Sequence, residues 1–351
     1  MANETEKVFV AMSGGVDSSV AAALLLEAGY SCSAGYMITA DHLLDAKKNA
    51  EEVAKKLGIK LYVLDLRNEF EQVLEYFCGE YRQGRTPNPC VFCNRHIKFG
   101  KLLSFAMDNG EQYFATGHYA KIIRDGTNTG LYETTNVTKD QSYVLSMIDR
   151  NVLQHIILPI GDYTKDQTRK LAVKFNLGTE KTVESQEICF IPNDDWVAVL
   201  EQRCPELVRS GDIVDSSGKV LGKHNGVHRF TIGQRRGLRV AMGMPYYVMK
   251  IDAADNTVTL GPKEEFMHSS LVTRGVNWLI DTPVSAFRAK VKIRYNDKGS
   301  SATVIPHADD VVVEFDGKVS AITPGQLAVF YVQEGERNRV AGGGWIEKTI
   351  D

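Results

Sequence analysis

"VFVAMSGGVDSSVAAALL", residues 8–25, decides the fold. Val8 to Met12 is a short apolar run of strand type. Ser18 to Ala28 is rich in alanine and leucine, which favours a helix, and Gly29 supplies a stop. Between them lies Ser13-Gly14-Gly15-Val16-Asp17-Ser18. Two glycines let backbone N–H groups approach an anion with no Cβ in the way. The hydroxyls of Ser13, Ser18 and Ser19 add donors, and the helix points its positive dipole end at the same place. Asp17 would repel a phosphate by itself, so a magnesium ion or a capping role is expected for it. The loop is neither a Gly-Lys-Ser/Thr phosphate loop nor a Gly-x-Gly-x-x-Gly dinucleotide turn.

The pattern continues outward. Ser31 to Met37 reads as a strand, Leu43 to Leu57 as a helix stopped at Gly58, and Ile59 to Leu64 as a strand. Phe70 to Tyr81 and Ile97 to Met107 have helical spacing, and Tyr113 to Thr116 is a short strand. Such alternation predicts a doubly wound parallel sheet with helices on both faces. Past Trp196 helical periodicity fades. "SGDIVDSSGKVLGKHNG" and "MPYYVMKIDAADNTVTLG" are short strands parted by Gly, Asp-Asn and Ser-Gly turns. From Ser269 the segments "FRAKVKIRY", "SATVIP", "DVVVEF" and "QLAVFYV" alternate as in a small β-barrel. The expected class is α/β, with a parallel-sheet domain over 1–195, a central β-rich domain over 196–268 and a β-barrel over 269–351.

At 351 residues the chain suits two or three domains. No run is long and apolar enough for a membrane span, and the first residues lack the basic-then-apolar order of a signal peptide. A cytoplasmic location follows as the default. The net charge of −3 gives no global basic field for nucleic acid, which leaves local patches. Arg229, Arg235, Arg236 and Arg239 form one candidate, as phosphate contacts or as a solvated turn or salt bridges. Lys290, Lys292 and Arg294 alternate and so share one strand face.

Of the six cysteines, Cys90 and Cys93 stand three apart in "RTPNPCVFCNRHIKFG", and Cys189 lies in "SQEICFIP". The pair alone fits a zinc clip, a redox pair, an iron-sulfur ligand set or a sulfur-transfer site. With His96 and Cys189 it has the ligand types of a tetrahedral zinc site. Cys32, Cys78 and Cys204 have no such context and read as buried thiols.

The loop at Ser13 to Ser18 resembles the pyrophosphate loop (PP-loop) of ATP pyrophosphatases. Together with the two cysteine stretches, "ATGHYAKI" (115–122), "KDQSYVL" (139–145), "TIGQRRGL" (231–238), "VKIRYND" (291–297) and "PGQLAVFY" (324–331), the chain resembles tRNA-specific 2-thiouridylases nearly end to end. That resemblance implies ATP with Mg2+, tRNA as partner and a sulfur donor, either a persulfide carrier or inorganic sulfide. Neither DNA nor a membrane is implied. It makes Cys189 the persulfide carrier and Cys93 the partner nucleophile. Ala11, Met12, Met37 and Gly117 would lie by adenosine, and Ser13, Gly14, Gly15, Val16, Asp17 and Ser18 by the phosphates. Asn88, Pro89 and Cys90 would meet the target base. His118, Lys139, Asp140, Gln141, Arg294, Tyr295 and Gln326 would touch tRNA.

Two departures stand out. Cys90 occupies the place where the family pattern has an aspartate. A thiolate is the weaker acceptor and the better ligand for soft metals, so Cys90, Cys93 and Cys189 are expected to hold a 4Fe-4S cluster, as three cysteines do in related tRNA thiolation enzymes. "YMITADHLLDAKKN" (36–49) is also shorter than the family's segment, next to Met37. The alternatives are another PP-loop adenylating enzyme of the GMP-synthetase kind, or a zinc-stabilised RNA-binding protein.

Overall fold

The computed structural model describes residues 5–350, apart from 45, 127, 137–138, 181–188, 192–194, 239, 241–242 and 309, and describes 42 by backbone alone. Val8, Phe9 and Val10 are fully buried because their strand, β1 (Lys7–Ala11), is central and covered on both faces. β2 (Ser31–Ile38) and β3 (Lys60–Asp65) lie on one side of it; β4 (Tyr113–Ala115) and β7 (Ile156–Ile157) lie on the other. The order β3-β2-β1-β4-β7 is parallel throughout. The chain reverses direction across the sheet between β1 and β4. At such a switch point the strand ends leave a crevice in which ligands bind.

α1 (Val16–Glu27) is buried nearly all round, wedged between the sheet and α7 (Lys165–Lys174). α2 (Lys47–Leu57) ends on Gly58 in the left-handed conformation, the stop expected from sequence. α3 (Arg67–Arg82) precedes a long helix that starts as α4 (Pro89–Cys93), widens to π geometry over Asn94–Leu102 and closes as α5 (Leu103–Asp108). The expected helix over 97–107 is therefore present, starts earlier, and is π-wound through the middle.

β5 (Lys121–Asp125) and β6 (Asn128–Tyr132) form a hairpin not foreseen in sequence, followed by the single turn α6 (Ser142–Leu145). α8 (Trp196–Arg203) leads to the central sheet: β8 (Gly211–Asp215), β9 (Val220–His224), β10 (Tyr247–Asp252) and β11 (Thr257–Gly261), in order β10-β11-β8-β9. The last six strands are β12 (Met267–Trp278), β13 (Phe287–Lys292), β14 (Ser300–Pro306), β15 (Asp310–Ser320), β16 (Leu327–Glu334) and β17 (Arg337–Ile350). β12 pairs with both β15 and β17, which closes the barrel. Its core includes Val291, Val304, Val313 and Phe330. Among the described residues no helix is long and apolar enough to cross a membrane.

The barrel is stitched to the first domain. β6 extends the barrel sheet through Tyr132 against Arg339 of β17. Beside that seam Glu133 is buried and receives Lys290 and Lys292, each at 2.6 Å, and Asn338 Nδ2 at 2.6 Å. Lys292 also lies 3.7 Å from the buried Asp140. The alternating Lys290 and Lys292 thus both turn onto this acid, Lys292 buried and Lys290 half-buried. They neutralise a carboxylate between domains.

Candidate active site

The turn after β1 is built to hold an anion. Gly14 has φ +77°, and a Cβ there would come within 2.7 Å of the Ala50 nitrogen and 2.9 Å of the Asn49 Cβ. Gly15 faces open space on that side, its nearest neighbour being Ser13 Oγ at 3.5 Å. The Ser13 N–H donates to Ser18 Oγ (3.1 Å), and Ser19 Oγ donates to the Gly15 carbonyl (2.7 Å). Ser19 is fully buried, so it braces the loop and does not face a ligand; Ser13 is the exposed hydroxyl. Val16 and Met12 are buried beneath the loop, while Ala11 and Met37 are half-buried at the strand ends.

Asp17 does not cap α1. The N-cap of α1 is Gly15, with no side-chain cap. Asp17 instead accepts from Lys165 Nζ at 2.9 and 2.8 Å and from the Tyr119 hydroxyl at 2.7 Å. Lys165 is delivered by the start of α7, where Thr164 and Gln167 form a reciprocal capping box. The capping pattern is visible in sequence; the partner is not. The glycines, hydroxyls and helix end fit a polyphosphate.

The thiols sit on the next ridge. Pro89 occupies the first turn of α4, and Asn88 caps it by accepting from the Val91 N–H. Cys93 is buried among Phe70, Phe77, Ile97, Phe190 and Ile191. Burial pushes its thiol up to about 12, against the opposing pull of Lys98. Cys90 and Cys189 reach solvent. Yet protein crowds both closely enough for burial to raise their thiols, so they line a recess. Each of the three thiols feels the Lys98 charge, and Cys189 also acts on Cys90 and Cys93. Nothing in the sequence pattern singled out Lys98.

Gly117 and His118 join loop and thiols. A Cβ on Gly117 would lie 2.7 Å from the Asp17 carbonyl carbon and the Ser18 nitrogen. His118 is buried, its Nδ1 2.7 Å from Thr116 Oγ1 and its ring 5.9 Å from that of Phe99. Burial, then Lys98, drives its pKa well below the ordinary value, which leaves a neutral imidazole.

Several residues expected at tRNA serve the fold. Gln141 Oε1 accepts the Tyr119 N–H (2.8 Å). Asp140 accepts from the Thr134 N–H (3.0 Å) and Ser142 Oγ (2.6 Å). Arg294 Nη2 donates at 2.6 Å to the Ile232 carbonyl and to Thr323 Oγ1, tying the central domain to the barrel. Gln326 Nε2 donates at 3.0 Å to the carbonyls of Thr86 and Pro87, gripping the segment that leads to Cys90. Lys139 lies just before this cluster, its N–H bonded to the Asn136 carbonyl. Tyr295 is exposed and close enough to Cys90 to feel its charge. Arg229 pairs with Glu201, whereas Arg235 and Arg236 are exposed; Arg239 lies outside the described residues, as do 185–188 and 192 of the Cys189 stretch.

The shared cluster is not supported. Among the described residues no three Cys, His, Asp or Glu side chains are arranged to hold a metal ion. Cys93 packs into an apolar core while Cys90 and Cys189 open to solvent. The zinc set with His96 is unsupported on the same ground.

Parallel-sheet domain, anion loop, thiol ridge and two β-rich domains define a tRNA-modifying enzyme architecture that three family models describe in order. The tRNA methyl transferase HUP domain matches residues 6–193, the tRNA methyl transferase PRC-barrel domain 198–262, and the aminomethyltransferase beta-barrel domain 268–346. The tRNA-specific 2-thiouridylase MnmA of Carboxydothermus hydrogenoformans is 44% identical over 363 residues, covering 98% of this chain and 98% of that one. The proteins of the same name from Syntrophotalea carbinolica (44% over 359 residues, 99% and 100% covered) and Halothermothrix orenii (42% over 362 residues, 98% and 100% covered) are similar throughout. The chain belongs to the tRNA-specific 2-thiouridylase family.

Proposed function

We propose that this chain catalyses ATP-dependent 2-thiolation of the wobble uridine of tRNA. The observation that carries it is the Gly117–His118 turn, with one residue against the anion loop and the next beside the thiol ridge. Activation and sulfur delivery thereby share one crevice. The HUP and PRC-barrel models are described as tRNA methyl transferase domains, but the paired thiols and the relatives' names favour sulfur.

The C2 oxygen of uracil is a poor leaving group. Attack of that oxygen on the α-phosphate of ATP releases pyrophosphate and turns it into AMP, a good one. Ser13 to Ser18 cradle the phosphates, with magnesium carried on the nucleotide, and Ala11, Met12, Met37 and Gly117 line the adenosine side. Asn88, Pro89, Cys90 and the exposed Tyr295 frame the base, which leaves the anticodon stack at small cost from a single-stranded loop. The terminal sulfur of a Cys189 persulfide, loaded by a persulfide donor, bonds to C2 as AMP departs. Cys93 then attacks the Cys189 sulfur, so the S–S bond to the substrate breaks, the thiouridine leaves and a Cys93–Cys189 disulfide remains for a dithiol to reduce. The same reading assigns residues 1–195 to activation and sulfur transfer and the domains over 196–268 and 269–351 to tRNA, in the cytoplasm.

The test is pyrophosphate release with and without tRNA, beside thiouridine formation, in the parent protein and in Cys93→Ser and Cys189→Ser. The expected result is tRNA-dependent release in all three and thiouridine in the parent alone. Release indifferent to tRNA would point to another adenylating enzyme. No release, with one bound zinc per chain, would point to an RNA-binding protein.

A further inference from the structure

Lys98 is half-buried in the π-wound segment that begins beside Cys93. Hydrogen bonds closing at i→i+5 stack residues five apart, whereas an α-helix stacks residues three and four apart. Residue 98 is the fifth after Cys93, so the π winding brings Lys98 nearer the face that carries Cys93 than an α-helix would. Its neighbours fix the other side. Ile97 packs in the same cluster as Cys93, Phe190 and Ile191, the residues next to Cys189, and Phe99 meets the ring of His118. The ammonium acts on Cys90, Cys93, Cys189 and His118 together. Among the described residues Lys98 pairs with no carboxylate, whereas the half-buried Arg85, Lys121, Lys165 and Lys290 each do. Among the described residues, a cation that acts on three sulfurs, in a recess whose histidine is neutral, has no anion.

We infer that Lys98 holds the sulfur-bearing anion of the site, pairing in turn with the persulfide on Cys189 and the thiolate of Cys93. This deepens the function proposed above and rests on it for the persulfide. The π segment is then the device that places one charge within reach of both sulfurs.

The test needs neither ATP nor tRNA. Cys93 and Cys189 are alkylated at one pH with anionic iodoacetate and with neutral iodoacetamide, and each modified peptide is quantified by mass spectrometry. Parent, Lys98→Gln and Lys98→Arg are compared. The expected ratio of anionic to neutral rate falls about tenfold in Lys98→Gln at both cysteines and is kept in Lys98→Arg, the size of one screened charge contact. A ratio unchanged in Lys98→Gln overturns the inference. If Lys98→Gln melts below the assay temperature, Lys98→Met, which keeps the apolar stem, replaces it with the same expectation. An unchanged ratio alongside intact thiolation sinks Lys98 alone. A parent that makes no thiouridine sinks the function while leaving the ratio readable.

Discussion

Lys165 Nζ lies 2.9 and 2.8 Å from the two carboxylate oxygens of Asp17, joining residues 148 apart in sequence. The negative charge beside the anion loop is thereby offset by a cation from α7. With the lysine gone, Asp17 would face the incoming phosphates as a bare charge. Charge-assisted bonds of this kind are worth about 1.5–3 kcal/mol. Lys165→Met should raise the ATP concentration needed for half-maximal pyrophosphate release by about tenfold. Asp17→Asn added to it should recover part of the loss, a coupling read from the double-mutant cycle. Equal ATP dependence in parent and Lys165→Met would refute the pairing's role.

Gln326 offers a choice between two readings. Its amide donates to the Thr86 and Pro87 carbonyls, so Gln326→Ala leaves two half-buried acceptors unpaired and should cost about 1–3 kcal/mol. The expected outcome is a lower Tm and slower thiolation with tRNA affinity unchanged. Weaker tRNA binding at an unchanged Tm would make Gln326 an RNA contact after all.

Glu133 carries a pH dependence. Burial pushes its carboxyl up, but hydrogen bonds and charge from Lys290 and Lys292 outweigh that and hold it below the ordinary 4.5. A depressed carboxylate stabilises the fold above its unfolded pKa, and that contribution is lost as pH falls through the folded value. Glu133→Gln should destabilise by about 3 kcal/mol at pH 7, since it strands the buried Lys292. The gap to the parent should close below about pH 4.5. Asp140 runs the other way, being raised chiefly by burial, and takes up its proton first. Urea unfolding at several pH values measures this; a gap constant down to pH 3 would contradict it.

Arg235 and Arg236 are exposed, and among the described residues neither pairs with a carboxylate, unlike Arg229. As phosphate contacts, each Arg→Ala change should weaken binding of all tRNAs alike and lower the slope of log affinity against log salt by about 1. An unchanged slope would return the pair to a solvated turn.

Much of the first domain is legible because its signals are local. A strand, two glycines and an alanine-rich helix identify the loop at Ser13 to Ser18, and Gly58 stops α2 where a left-handed residue is needed. What stays hidden depends on distant partners. The hairpin β5–β6 finds its neighbour in β17, roughly two hundred positions on. Lys290 and Lys292 alternate as on an exposed face because their acid, Glu133, comes from another domain. The π winding has no hydrophobic period of its own, so Lys98 reads as one more helical lysine. The cluster expectation finds no support for a related reason: three cysteines can be counted in sequence, but only packing shows one facing a core and two facing solvent.

The grip of Gln326 on Thr86 and Pro87 spans 240 residues. During synthesis α4 and both its thiols leave the ribosome long before β16 exists to anchor the approach to Cys90. Domains fold as units in the order they emerge. A half-made chain can therefore hold a finished nucleotide loop while its sulfur chemistry waits for one of the last strands, so premature termination yields a protein unable to position reactive cysteines against RNA.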